Sequence, residues 1–257
     1  MRVSVIVTTY NHPDQLERVL WGYAVQRTKD FEVVVADDGS RSDTTDVIDR
    51  VARESSLDIV HIWHADAGFR KTLILNRAIV ASSGDYLIFT DGDCIPRDDF
   101  IQVHAQCAEP GVFLSGGYLK LPEELSRNLT NDDIRSGRAM DPAWLKAHGW
   151  HGGRHTLRLT RSQLLAAMLD AITPTRRTWN GHNSSTWRDA IIAANGFDLD
   201  MRYGGLDRAL GYRLLNAGLR GKQIRYRAPC LHLYHERPYL DYAQWKRNKE
   251  FCRRILR

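Results

Sequence analysis

The first 120 residues alternate between unbroken apolar runs and stretches whose apolar positions recur every three to four residues. VSVIV (3–7), FEVVVA (31–36), DIVHIW (58–63) and DYLIFT (85–90) have strand length and no polar alternation. Such runs predict strands buried on both faces of a sheet. Between them, Leu16, Val19, Leu20 and Tyr23, then Val47, Ile48, Val51 and Ala52, then Leu75, Ala78 and Ile79 fall at helical spacing. Asn11 and Pro13 mark the start of the first of these helices. Strands and helices in this order predict an α/β fold, with a mainly parallel sheet covered by helices.

The pattern loosens over 121–180, which is rich in charges, Gly and Trp. One clear helix is predicted there, near 162–171, on Leu164, Leu165, Met168 and Leu169. A further helix starts near Gly205, carries Leu206, Leu210, Leu214 and Ala217 on one side, and stops at Gly218. Short strands near 222–227 and 230–234 and a last helix from about 240 complete the reading. With no repeat, low-complexity tract or linker, the parts 1–120 and 121–257 are expected to form one continuous domain.

Composition changes this picture little. A chain of 257 residues with 43% hydrophobic and 26% charged positions is ordinary for a globular protein. No secretory signal pattern and no apolar run of spanning length is present, so the expectation is a soluble, cytoplasmic protein. Cys94, Cys107, Cys230 and Cys252 lack CxxC spacing, which argues for reduced thiols rather than a disulfide framework or a cysteine zinc site. The sequons at Asn128 and Asn183 carry little weight without a secretory route. A net charge of +5 suits an anionic small ligand, a membrane surface or nucleic acid alike. Nucleic-acid binding would need a basic, aromatic-rich stripe, and none is found outside the C-terminal tail.

In an open α/β sheet, ligands bind beyond the carboxyl ends of the strands. Three polar clusters fall there: TTYN (8–11), DDGS (37–40) and DGDC (91–94). Asp91 and Asp93, spaced i and i+2 around Gly92, can aim two carboxylates at one region. Hard carboxylate oxygens suit Mg2+ or Mn2+, and such an ion often completes its shell with substrate phosphates. A carboxylate at Asp37 or Asp38 can accept from a nucleobase N–H or a ribose hydroxyl. Tyr10 can stack on a base. Arg70 or Lys71, just before a helix, can hold diphosphate oxygens. Each cluster taken alone also reads as a solvated surface turn, and an isolated DxD is common; their shared place at strand ends favours one site.

VSVIVTTYN, VVVADDGS, GFRKTLILNRAI and GDYLIFTDGDC, in this order and spacing, resemble the nucleotide-sugar half of family 2 glycosyltransferases, enzymes of the GT-A fold. NGHNSSTWRDAIIAANGFD (180–198) and YGGLDRALGYRLLNAG (203–218) resemble that family's acceptor-side region, of the galactosyltransferase type. The resemblance implies that Thr8, Tyr10 and Asp38 contact the nucleoside, and that Asp91 approaches the ribose. It sets Arg70 or Lys71, with Asn76, near the diphosphate or in the loop that surrounds it. Asp93 would bind Mn2+ or Mg2+, helped by a late histidine, for which His235 in HLYHERP is the better candidate. In a continuous strand, His232 and His235 would face opposite sides, so they need not share an ion. Asp207 matches the family's general base. Leu206 stands where the family usually has Glu, which makes acceptor analogy unsafe.

The implied reaction is an inverting transfer from a nucleotide-sugar donor, by default a UDP-sugar, to a hydroxyl of a glycan or lipid-linked glycan. Trp179, Asn180, Gly181, His182 and Asn183 would lie beside the donor sugar and acceptor, or else supply a core Trp and a capping Asn. The last helix sets Lys246, Arg247, Lys249, Arg253, Arg254 and Arg257 against Glu250, with Trp245, Phe251, Cys252, Ile255 and Leu256 among them. Such a helix either touches anionic lipid, as a peripheral contact on the inner face of a membrane, or packs its apolar side on its own domain; the second is favoured. Two rival classes stay open. A sugar-1-phosphate nucleotidyltransferase would show a Gly-rich phosphate loop where this chain has TTYNHPDQ, and an inactive sugar- or partner-binding module would not need Asp93 and Asp207.

Overall fold

The computed structural model describes residues 1–236 and 242–255, the first four of the second stretch by backbone alone. The predicted strands β1 (Val3–Thr9), β2 (Phe31–Asp37), β3 (Ile59–Trp63) and β4 (Tyr86–Asp91) alternate with α1 (Pro13–Ala24), α2 (Ser42–Ser55) and α3 (Lys71–Ala81). The strands pair in parallel in the order β3-β2-β1-β4. Successive side chains point to opposite faces. Val5, Val7, Val33, Val35 and Ile88 enter one core with Leu16, Val19 and Leu20 of α1. Ile6, Val34, Ala36, Leu87 and Phe89 enter a second core with Ile74, Leu75 and Ala78 of α3. Two buried faces explain the unbroken runs of β1, β2 and β4, each fully buried aliphatic side chain contributing about 1.5–3 kcal/mol. β3, at the sheet edge, is not buried on both faces as its run predicts, and Trp63 is exposed.

Beyond β4 come β5 (Cys94–Pro96), α4 (Phe100–Cys107), β6 (Val112–Ser115), β7 (Gly117–Lys120) and the short helices α5 (Glu123–Asn128), α6 (Asn131–Arg135) and α7 (Pro142–Ala147). Then follow α8 (Gln163–Ile172), β8 (Ser184–Trp187), α9 (Arg188–Ala193), α10 (Leu206–Asn216), β9 (Arg220–Gln223), β10 (Pro229–His232) and α11 (Tyr242–Ile255). β8 runs antiparallel to β4 and β6, and β9 parallel to β6, which completes a seven-stranded sheet, β3-β2-β1-β4-β8-β6-β9. A smaller sheet, β5-β10-β7, stands beside it. Strands from 121–257 thus enter both sheets, and the two parts of the chain interlock.

Two late strands differ from the sequence reading. The one expected at 222–227 lies at Arg220–Gln223, and the one expected at 230–234 ends at His232. There the Leu233 amide donates to the Asp93 carbonyl at 2.9 Å, which draws the chain out of the strand and across the DGDC turn. Among the described residues no helix is long and apolar enough to cross a membrane.

Candidate active site

The parallel register brings the ends of three strands together: Thr8 pairs with Ala36 of β2 and with Asp91 of β4. Gly92 then folds back over β1, its amide donating to the Thr8 carbonyl at 2.7 Å. A Cβ at position 92 would lie 2.8 Å from that oxygen, so the turn between the two acids requires glycine. A cleft of about 520 Å³ opens on this rim, and Thr8, Tyr10, Asp38, Lys71, Asp91, Asp93 and Asp207 all line it.

Among the described residues that line the cleft, Lys71, at the start of α3, is the one lysine or arginine. Its Nζ donates to Asp91 Oδ1 at 2.6 Å, and Thr8 Oγ1 donates to the same oxygen at 2.8 Å. Burial works against both charges. The Lys71 charge and hydrogen bond nonetheless hold Asp91 well below the usual carboxylate range, and Asp91, with Asp207 and Asp93, holds Lys71 above its ordinary value. Of the two cations at this turn, Lys71 enters the cleft. Arg70 faces its own loop, with Nη2 donating to the Ala65 carbonyl at 2.9 Å.

Asp38 is engaged on both oxygens, Oδ2 by the Arg70 amide at 2.9 Å and Oδ1 by His64 Nε2 at 2.8 Å. Burial raises its pKa against these two partners. His64 has no signal in the sequence; only the turn after β3 brings it here. Tyr10, 44% exposed, keeps its ring open to solvent while its hydroxyl donates to Asp66 Oδ2 at 3.0 Å.

The second acid of the DGDC turn faces two imidazoles. His235 Nε2 lies 3.2 Å and His232 Nε2 3.9 Å from Asp93 Oδ2, with the two rings stacked at 5.4 Å. The exit of the chain after His232 overturns the expectation that strand alternation separates them. Each Nδ1 is committed to a main-chain carbonyl, His232 to Leu233 at 2.8 Å and His235 to Glu236 at 3.0 Å. In a neutral ring this leaves the Nε2 lone pair facing the carboxylate, the tautomer a metal ion requires. Ligand atoms of Asp93, Cys94 and His232 lie within 4.8 Å of one another. Burial pushes the Cys94 thiol well above its ordinary pKa, so it stays protonated, and the Asp93 carboxylate with the two imidazoles is the donor set that fits a divalent cation.

Asp207 sits in the first turn of α10, behind Tyr203, Gly204 and Gly205. Burial raises its carboxyl from 3.8 to about 6, Lys71 opposing and Asp91 adding. Among the described residues its Oδ1 is buried with no hydrogen-bond partner, which leaves a lone pair open to an incoming proton. Leu206, 5% exposed, joins the second apolar core, so no acid stands beside Asp207 at that position. Gly181 passes directly over the Asp207 carboxylate. His182 packs edge-on to Tyr118 at 4.5 Å, and burial lowers its pKa to about 4, so it is neutral at pH 7.

Arg70, Gly181 and His182 do not line the cleft itself, and Trp179, Asn183 and Asn76 serve the fold instead. Trp179, 1% exposed, is wedged between Phe89 and Phe113 in the core. Asn183, fully buried, donates to the carbonyls of Gly117 and Ala228 and accepts from His104 Nε2 at its Oδ1, tying β7, α4 and the entry to β10 together. Asn76 brackets the Phe197 backbone, donating to its carbonyl at 2.8 Å and accepting from its amide at 2.7 Å. On α11, Asn248 and Cys252 are buried against the α10 side while Lys246, Arg247, Lys249, Arg253 and Arg254 are exposed. The apolar side of this helix is thus used within the domain. Leu256, Arg257, the Trp245 side chain, and Arg237 and Pro238 of HLYHERP lie outside the described residues.

A mainly parallel sheet with an acidic rim at its carboxyl ends, flanked by a smaller sheet, is the GT-A type of α/β fold. Residues 4–118 match the family described as glycosyl transferase family 2, so this chain carries a family 2 glycosyltransferase domain. The chondroitin synthase of Escherichia coli is 24% identical over 240 residues, covering 84% of this chain and 32% of its own length. A validoxylamine A glucosyltransferase of Streptomyces hygroscopicus subsp. jinggangensis is 35% identical over 122 residues, 45% of this chain and 28% of its own. The chain thus spans about a third or less of these curated relatives. Among solved structures, a Pyrobaculum calidifontis mannosyltransferase in complex with GDP-Man and Mn2+ aligns with TM-score 0.59 and 21% identity over 93% of this chain and 58% of its own. S. aureus TarS 1-349 in complex with UDP-GlcNAc aligns with TM-score 0.62 and 13% identity, over 99% and 66%.

Proposed function

We propose that this chain is an inverting, divalent-metal-dependent glycosyltransferase that moves a sugar from a nucleotide-sugar donor, UDP by preference, to a hydroxyl of a glycan or lipid-linked glycan. The observation that carries this reading is Asp207. It is a partly buried carboxylate with a free lone pair, in the same cleft as the Asp91–Lys71 pair and the Asp93–histidine cluster.

Asp207 takes the proton from the acceptor hydroxyl as that oxygen attacks the anomeric carbon. A pKa near 6 leaves it ionised at neutral pH yet more basic than an ordinary carboxylate. Attack and departure occur in one in-line step, so the anomeric configuration inverts. Lys71 faces the side where the diphosphate leaves and stabilises its charge, released in part from Asp91 as a ribose or phosphate group enters. Thr8 and Asp38 hold the nucleoside end, and Tyr10 offers its exposed ring as a stacking face. Gly181 and His182 border the space for the sugar.

Asp93, His232 and His235 would hold the metal. When bound, the ion supplies a Lewis acid that neutralises the leaving diphosphate. Two imidazoles beside one carboxylate favour Mn2+ over Mg2+, which prefers oxygen alone. A thermal-shift panel of UDP- and GDP-sugars with and without Mn2+ tests the reading. One donor class should raise the melting temperature only with the ion; no response from any donor would count against it.

A further inference from the structure

The loop that delivers Asp207 to the cleft is gripped from behind by the C-terminal helix. Asn248, 4% exposed on α11, donates from one Nδ2 to three consecutive carbonyls: Arg202 at 3.1 Å, Tyr203 at 3.0 Å and Gly204 at 2.7 Å. One turn further, Cys252 Sγ donates to the next carbonyl, Gly205, at 3.5 Å. Four successive peptide units therefore turn their oxygens towards α11.

The loop needs this support for a backbone reason. Gly204 and Gly205 both lie in the left-handed region, with φ of +90° and +99°. The Gly205 carbonyl also accepts the Ala209 amide of α10 at 2.9 Å, whereas the carbonyls of Arg202, Tyr203 and Gly204 accept from no backbone amide among the described residues. Carbonyls left unpaired there would favour another loop conformation. A primary amide is the right tool, since it brings two N–H donors on a short stem, one of them shared between two of the three carbonyls. A Cβ at Gly205 would lie 3.5 Å from Asn248 Cβ and from Cys252 Sγ, so loop and helix are already in contact.

Tyr203, Gly204, Gly205, Leu206 and Asp207 line the cleft, whereas Asn248 does not. We propose that Asn248 is a positioning residue for the transfer reaction, fixing the 202–205 loop so that the Asp207 carboxylate meets the acceptor hydroxyl. The proposal rests on the reading of Asp207 as the base. It also gives the C-terminal helix a catalytic duty. The segment that carries His235 leads into α11, and α11 in turn holds the loop of the base.

The test compares the full chain with Asn248→Ala and Asn248→Asp, the second setting a carboxylate against the three carbonyls. Asn248→Ser keeps a short donor and covers the case in which Asn248→Asp does not fold. Amide hydrogen exchange at 203–207 reports the grip directly. UDP or GDP affinity with Mn2+ reports the donor side, and nucleoside diphosphate release from UDP- and GDP-sugars reports turnover. Expected are faster exchange at 203–207, affinity for the nucleoside diphosphate within about twofold of wild type, and kcat lowered about 10–100-fold, in the order Ser, Ala, Asp. Unchanged exchange at 203–207 in Asn248→Ala would overturn the grip. Faster exchange with unchanged kcat would overturn the positioning role. If Asp207→Asn itself turned over normally, the base assignment would fail, and the exchange measurement would still decide the grip.

Discussion

Gly181 lies so close to Asp207 that a Cβ on it would stand 2.8 Å from Oδ1 and 3.0 Å from Cγ. Gly211, one turn along α10 from Asp207, meets Trp179 in the same way, a Cβ there falling 2.6 Å from the Trp179 Cβ. The strip 179–181 is thus pressed along the face of α10 that bears the carboxylate. Trp179 anchors it in the core, and Gly181 leaves the carboxylate its space.

Gly181→Ala should therefore push the Asp207 carboxylate aside while leaving the fold intact, because position 181 is outside the left-handed region. A displacement of this size is expected to lower kcat about 10–100-fold with little change in melting temperature. Steady-state kinetics and a melting curve on the same preparation check it; wild-type kcat would refute the geometry.

Asp207→Asn should be more stable than wild type at neutral pH. A carboxyl held at about 6 in the folded chain and 3.8 otherwise binds more protons when folded, so stability falls as pH rises through that window. Above it the ionised group costs about 2–3 kcal/mol, which the amide avoids. Metal-free melting should show the variant above wild type at pH 7.5 and level with it at pH 4. Equal melting at both would mean the carboxyl is not raised.

Much of this site is legible in the sequence because its acids end apolar strands, and a strand end is a local pattern. Thr8, Asp91 and Lys71 meet through β1, β4 and the start of α3, all visible as periodicity. β8 gave no such signal. Its Ser184, Ser185 and Thr186 are fully buried, with Ser185 bonded to Tyr86 and His104 and Thr186 to the Val112 carbonyl, partners that only the tertiary fold supplies. His64 behind Asp38 was invisible for the same reason. Leu164 and Met168 mark α8 correctly as a helix, yet both are exposed, since periodicity fixes a helix and leaves its buried face to the neighbours.

Lys71→Met removes the positive charge that lowers the Asp207 pKa. The acid limb of the kcat/KM profile, expected near pH 6 in wild type, should then move to higher pH, and affinity for the nucleoside diphosphate should weaken at least about tenfold. A pH–rate series with each protein checks both. A limb that stays in place would separate Lys71 from the base.

Asp93→Asn, His232→Ala and His235→Ala should each weaken Mn2+ binding at least about tenfold, since each removes one donor of a small set. Electron paramagnetic resonance of free Mn2+ measures this without any turnover. Wild-type affinity in His235→Ala would remove that residue from the site.

Turnover of Asp207→Asn, set beside its donor binding, tests the central claim most directly. With Mn2+ and the donor that wild type consumes, the variant should bind that donor within about threefold of wild type and turn it over about a thousandfold more slowly. Turnover at the wild-type rate would contradict a base at Asp207, and with it the reading of the cleft as the place where the acceptor is activated.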